Sequence, residues 1–195
     1  LSVSSYNSLL YWAAHTTTAL NITLVSTLLP VVTGMLSLPL LGQAITVRHA
    51  LGILGAFSGA AFIILRGDWQ VLLALEVHGG DALMLLATFL WALYSVLLRR
   101  WSLPLGGFAL FTLLVPAGVV LLFPAYVFER HHTEAFVFTP ELGLALLYVV
   151  IFPSIAAYLL WNYGVSRTSP STAALFACLM PLFTAILSMP LLGEY

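Results

Sequence analysis

Residues 28–42 read LLPVVTGMLSLPLLG and residues 179–193 read LMPLFTAILSMPLLG. The offset is 151, and nine of the fifteen positions are identical, among them Pro30/Pro181, Pro39/Pro190 and Gly42/Gly193. Leucines match easily in any apolar run. Two prolines nine apart followed by LLG do not, so the pair marks an internal duplication. Each copy is expected to be an apolar helix with one proline near its middle and another at its end.

The composition sets the solvent. The chain is 62% hydrophobic and 7% charged, with thirteen formal charges and no lysine. A soluble domain is about a quarter charged; this chain is expected to sit in a bilayer as an all-α polytopic membrane protein. The net charge of −1 says nothing about partners, but no basic patch exists for nucleic acid. Cys178, the one cysteine, lies in an apolar run and is expected to pack as a small hydrophobe.

Seven apolar spans follow from the pattern: about 1–14, 17–41, 51–65, 82–98, 105–128, 142–165 and 171–192. Charge placement tests that division. Arg48, Arg99, Arg100 and Arg167 fall on alternate joins, and no acid falls with them. Asp68, Glu76, Asp81, Glu129, Glu134, Glu141 and Glu194 fall on the other joins, with Arg66 and Arg130. The arginine bias makes the four-arginine side cytoplasmic. The offset also implies twins for the third, fourth and fifth spans that this stretch does not contain. The full plan would be two sets of five helices, the second inverted because five is odd, as in secondary transporters.

Both repeated helices carry small and polar residues at steps of three and four: Thr23, Ser26, Thr27, Pro30, Thr33, Gly34 and Ser37 in one, Ala174, Ala177, Cys178, Pro181, Thr184, Ala185 and Ser188 in the other. Such a face suits close helix packing. It also suits a cavity wall, where water or protein satisfies the carbonyl that each proline leaves without a donor. Both readings stand at this point. Gly52, Gly55 and Gly59 form a small-residue face expected to pack. Asn21-Ile22-Thr23 fits a glycosylation sequon but lies at the start of a membrane helix, which argues against its use.

Candidates for a substrate path are the polar and aromatic residues of the spans: Tyr11, Trp12, His15, Asn21, Thr27, Pro30, Trp91, Tyr94, Tyr158, Trp161, Asn162 and Pro181. Trp and Tyr commonly anchor helices at membrane interfaces, but Trp91 and Tyr94 lie too deep for that. No acidic or basic residue falls within a membrane core, and no metal-site, nucleophile or phosphate-loop motif appears. No enzyme activity, cofactor or metal is therefore expected.

LWALYSVLLRR at 90–100, AAYLLWNYGVSRTSPSTAALFACLMPLFTAILSMPLLGE at 156–194 and TALNITLVSTLLPVVTGMLSLPLLG at 18–42 resemble the EamA-type domain, the repeat of the drug/metabolite transporter superfamily. The resemblance implies ten helices, cytoplasmic termini, and a central cavity between the third, fourth, eighth and ninth helices. On that frame 1–66 is the end of a first repeat (helices three to five), 67–80 an outward connecting loop, and 81–195 a second repeat lacking its last helix. Gln43 stands where Glu194 stands in the second copy, a departure from the pattern. The implied role is a secondary transporter that exports small metabolites such as amino acids or drugs by alternating access, in the bacterial inner membrane, with the bilayer and a small molecule as partners. Two alternatives remain: a sugar-phosphate, nucleotide-sugar or lipid-linked sugar carrier of the same superfamily, and a non-transporting accessory protein.

The topology is testable. Single cysteines at Arg99 and Glu134, in a Cys178→Ser background of the full-length protein, are expected to react with an impermeant thiol reagent from outside only at position 134. Labelling at 99 but not at 134 overturns it.

Overall fold

The computed structural model describes residues 2–65, 68, 70, 73, 76–101, 105, 107–130, 138–183 and 186. The helices among them are α1 (Ser2–Ala14), α2 (Ala19–Ser26), α3 (Leu29–Leu41), α4 (Val47–Ile64), α5 (Gly79–Trp101), α6 (Gly107–Arg130), α7 (Pro140–Val149), a π-helical segment (Val150–Ala156), α8 (Ala157–Arg167) and α9 (Pro170–Ala177). Five runs are long and apolar enough to cross a membrane: Ala19–Leu41, Val47–Ile64, Gly79–Trp101, Gly107–Phe128 and Pro140–Arg167. The 13-residue α1 and the apolar run Pro170–Phe183 are shorter. The chain is an all-helical, multi-pass protein of the cell membrane. Its outward side chains fit that solvent: Leu113, Val119, Val120 and Phe123 of α6 all face out. Arg66, Trp69, Glu134, Thr184, Ala185, Ser188 and Glu194 lie outside the described residues, as does most of the 67–80 join.

Helix starts are set by side-chain caps. Thr18, Thr46, Thr139 and Ser169 have extended backbone and each accepts a hydrogen bond from the N–H three residues on. A cap of this kind is worth about 1 kcal/mol. The LLG ending of the first copy is a left-handed stop. Gly42 has φ 66°, its N–H reaches Leu38 O, and Gln43 N–H reaches back to Ser37 O at 3.3 Å.

The middle prolines do not sit inside continuous helices. In the first copy the helix breaks at Thr27-Leu28 and restarts as α3, with Pro30 in its first turn. Thr27 N–H and Leu28 N–H reach carbonyls three residues back, Leu24 and Val25, with Thr27 N–H shared with Thr23 O four back. In the second copy Cys178 N–H and Leu179 N–H likewise reach three residues back, to Leu175 and Phe176. Both helices then resume with matching bonds, Val32 N–H to Leu28 O and Phe183 N–H to Leu179 O, both 3.0 Å. The physical reason is the missing N–H: the first turn is where a helix needs no donor, so proline is tolerated there. Pro153 has a related effect in the 140–167 run. It falls in the π-helical segment, where Ser154 Oγ donates to Val149 O five residues back.

Helix α5 is the axis of the packing. Its buried residues Met84, Ala87, Thr88, Ala92, Ser95 and Val96 recur at helical spacing. Ala13, Met84 and Ala87 form one packed cluster with Tyr6, Leu9 and Ile22 around it, joining α1 and α2 to α5. Leu29, Ala92 and Ala174 form a second, where α3, α5 and α9 meet through small side chains. The stripe of the first copy lies in this packed interior, since Thr27, Pro30, Thr33, Gly34 and Ser37 are all buried. Thr33 and Ser37 return their hydroxyls to carbonyls four residues back, at 2.6 and 2.8 Å. That stretch is therefore packing surface.

The ends of the bundle differ in charge. Arg99 Nη1 donates to Ser166 O and Arg100 Nη1 to Leu40 O, gathering the ends of α3, α5 and α8. At the opposite end Asp81 accepts from Thr17 and Asn21, gathering α1, α2 and α5.

The expected glycine face of α4 behaves differently. A Cβ at Gly55 or Gly59 would meet nothing within 4 Å, while one at Gly52 would lie 3.9 Å from Leu175 of α9, so among the described residues only the Gly52 end of that face lies against another helix. The close approach is at Gly80, where a Cβ would lie 2.8 Å from Ala13 O and 2.6 Å from Thr16 Oγ1. Gly80→Ala is therefore expected to destabilise the full-length protein by about 1–3 kcal/mol, the usual range for overpacking. Gly55→Ala and Gly59→Ala should leave thermal unfolding in detergent unchanged or slightly improved. Equal melting of Gly80→Ala and wild type would show that the contact is not as close as described.

Candidate functional site

Trp91 lies midway along α5, and four rings surround it. Tyr6 of α1 is 5.2 Å away between centroids, Tyr94 5.8 Å, and Tyr158 and Trp161 of α8 5.8 and 5.6 Å. Tyr94 and Tyr158 are 5.6 Å apart, and Phe111 of α6 reaches Tyr158 at 5.8 Å. Most of these contacts are tilted or edge-on, the arrangement the ring quadrupole favours, worth about 0.5–1.5 kcal/mol each beyond area burial. The spacing that builds the cluster is local: 91, 94 and 95 on one face of α5, 158, 161 and 162 on one face of α8.

Polar atoms thread between the rings. Trp161 Nε1 donates to Ser95 Oγ at 3.0 Å, and Ser95 Oγ donates to Trp91 O at 2.9 Å. Tyr94 Oη donates to Asn162 Oδ1 at 2.8 Å. Asn162 is only 4% exposed, and its Nδ2 has no hydrogen-bond partner. So the structure brings Trp91, Tyr94, Tyr158, Trp161 and Asn162 into one constellation that runs from the middle of α5 toward its arginine end.

The other candidates lie elsewhere. Tyr11 and Trp12 are 64% and 65% exposed on the outer face of α1, and His15 is exposed beyond its end. Asn21 is buried at the acidic end. Its Nδ2 donates to both carboxylate oxygens of Asp81, at 3.1 and 3.0 Å, and to Glu76 O at 2.9 Å. Asp81 also accepts from Thr17 Oγ1 and, at 2.8 Å, from His78 N–H. Asn21 here is a clasp between α2 and the start of α5.

Thr27, Pro30 and Pro181 belong to the crossing of the two repeated segments. Cys178 Sγ contacts Thr27 O at 3.8 Å, and these two residues are each other's twins at offset 151. Ser37 Oγ lies 3.5 Å from Ser171 Oγ. The C-terminal end of one segment thus meets the N-terminal end of the other, so the twins run antiparallel and touch at their own breaks.

A cavity of about 570 Å³ opens at the arginine end between α5, α6 and α8. Arg99, Asn162, Tyr163 and Ser166 supply its polar lining, with five leucines, Phe108 and Gly107. Arg167 stacks over Tyr163, 5.4 Å from the ring centroid. From the sequence Arg99 has a topological role only, and Tyr6 and Phe111 do not stand out. The steps 91, 95 and 99 put Trp91, Ser95 and Arg99 on one face of α5, which was the available signal. Among the described residues no three His, Cys, Asp or Glu side chains gather as a metal site.

The sequence pattern of the EamA-like transporter family matches residues 78–195. The chain is similar to the uncharacterized transporter YyaM of Bacillus subtilis, 28% identical across 96% of this chain and 62% of that protein. It is 31% identical to an uncharacterized transporter of Archaeoglobus fulgidus, across 75% of this chain and 50% of the relative. A protein named as a probable terminal-alkyne amino-acid exporter, from Streptantibioticus cattleyicolor, is 27% identical across 98% of this chain and 62% of its own length. The chain thus spans about half to three-fifths of these relatives. No solved structure matches it.

Tyr94→Phe removes the phenol donor to Asn162 Oδ1 while keeping the ring. The loss is expected to cost about 0.5–2 kcal/mol, the range for interhelical hydrogen bonds in membranes. Thermal unfolding of the full-length protein in detergent checks it; no shift would mean that water replaces the phenol.

Proposed function

The chain belongs to the EamA-like transporter family, and on that premise we propose that the whole protein is a secondary transporter that exports small metabolites by alternating access. The role is transport rather than catalysis. The observation that carries this reading is the aromatic and amide constellation at Trp91, Tyr94, Tyr158, Trp161 and Asn162, on helices next to two broken twins. Rings and one amide give a surface that holds an apolar body and orients a polar group, the usual make-up of a small-molecule site.

The residues take distinct parts in this proposal. The cluster on α5 and α8 lines the path. Thr27, Pro30 and Pro181 lie at the paired breaks where the two segments cross and can rock against each other. Asn21, with Asp81, closes the acidic end. Residues 1–66 and 81–195 are parts of two repeats of inverted orientation, a plan that places binding sites at the repeat interface. The arginine end faces the cytoplasm, by the rule that arginine-rich joins stay inside. The name of the Streptantibioticus cattleyicolor relative supports cargo of amino-acid size and an outward direction.

Efflux of a labelled metabolite panel from cells expressing the full-length protein tests the function; no efflux above background for any member overturns it. The breaks make a narrower prediction. Pro30→Ala with Pro181→Ala restores the missing donors and favours straight helices. The double variant should reach the membrane at normal level and lower efflux turnover about tenfold, with half-saturation little changed, the signature of a slowed conformational step. Normal turnover at normal expression leaves the prolines as packing features.

A further inference from the structure

We propose that the cavity at the arginine end is a recognition site for small carboxylates with an apolar body, occupied before cargo meets the aromatic cluster. This rests on the transport reading above. The cavity, about 570 Å³, has walls of leucine and Phe108, which suit an apolar body.

Its polar lining is one-sided. Arg99 brings a formal positive charge, positioned by its bond to Ser166 O. Asn162 lies one helical turn before Ser166, so the amide and the guanidinium address neighbouring levels of α8. The Asn162 amide is half used: Oδ1 accepts from Tyr94 Oη, while Nδ2 is buried without a partner. A buried donor left unmade is costly, and an arriving oxygen acceptor removes that cost.

Among the described residues that line the cavity none is acidic. Nothing there balances an ammonium or a cationic drug. A carboxylate fits both donors, one oxygen toward the Arg99 charge and the other toward Asn162 Nδ2. One arginine and one neutral amide match a monoanion better than a phosphate dianion. Asn162 also carries the message onward, because the side chain that would bind the carboxylate is the one that Tyr94 holds.

Isothermal titration of full-length protein in nanodiscs with phenylacetate, phenylacetamide, phenethylamine and phenyl phosphate tests this. Phenylacetate should bind about tenfold or more tightly than the other three, as charge-assisted pairing requires. Asn162→Asp keeps an acceptor for Tyr94 Oη but replaces the Nδ2 donor with a carboxylate oxygen. It should weaken phenylacetate about tenfold or more and bring its affinity to or below that of phenethylamine. Arg99→Gln should also shrink the acid-to-amide ratio.

Equal binding of phenylacetate and phenylacetamide by the wild type, or tighter binding of phenyl phosphate, overturns the proposal, and neither comparison needs a variant. Efflux of the labelled panel without binding of any of the four probes overturns it and leaves the transport reading intact. Carboxylate-selective binding without efflux supports the site and counts against that reading instead.

Discussion

In a membrane, a backbone carbonyl that loses its helical donor cannot turn to water. Pro30 and Pro181 each impose that condition at the middle of a crossing. The chain meets it by ending one helix and starting the next, with tightened bonds at Thr27-Leu28 and at Cys178-Leu179. The two breaks are then placed against each other, Cys178 Sγ on Thr27 O. Because the segments run antiparallel, only one point along them can bring a residue against its own twin. That point is the break, and the small residues around it let α3, α5 and α9 close in.

Helix α5 connects this crossing to both ends of the bundle. Its first turn is clasped at the acidic end through Asp81 to Thr17 and Asn21. Its middle carries Trp91 and Ala92, one facing the rings and the other the crossing. Its last turn brings Arg99 to α8 and Arg100 to α3. One rigid helix therefore links a polar clasp, an aromatic cluster and a basic cavity.

Segregation of charge between the two ends follows from the same economy. A charge in the hydrocarbon is costly, so charged groups collect at the ends. There they hold helix termini together: Arg99 and Arg100 occupy carbonyls at the ends of α8 and α3, where a helix leaves four carbonyls without donors. Asp81 does the reverse at helix starts, accepting His78 N–H and the Asn21 amide. The ends are thus both topological signals and structural clasps.

The sequence by itself determined the solvent, the helical class, the order of the spans and the duplication. Those depend on composition and on period along the chain, which a chain carries in one dimension. It also marked Trp91, Tyr94, Tyr158, Trp161 and Asn162 as unusual, because polar aromatics at mid-span have no interfacial use. It could not show that these five meet, nor that Tyr11, Trp12 and His15 point away from them, since that depends on how α1 and α8 are rotated against α5. Likewise the small residues of α4 and of the repeated helices look alike in sequence, yet Gly55 and Gly59 meet nothing while Thr33 and Ser37 are buried. Contact between twins at offset 151, the unmade amide donor of Asn162 and the charge of Arg99 at a cavity were decided only in three dimensions. The physical reason is that a helix face has no meaning until another helix covers it.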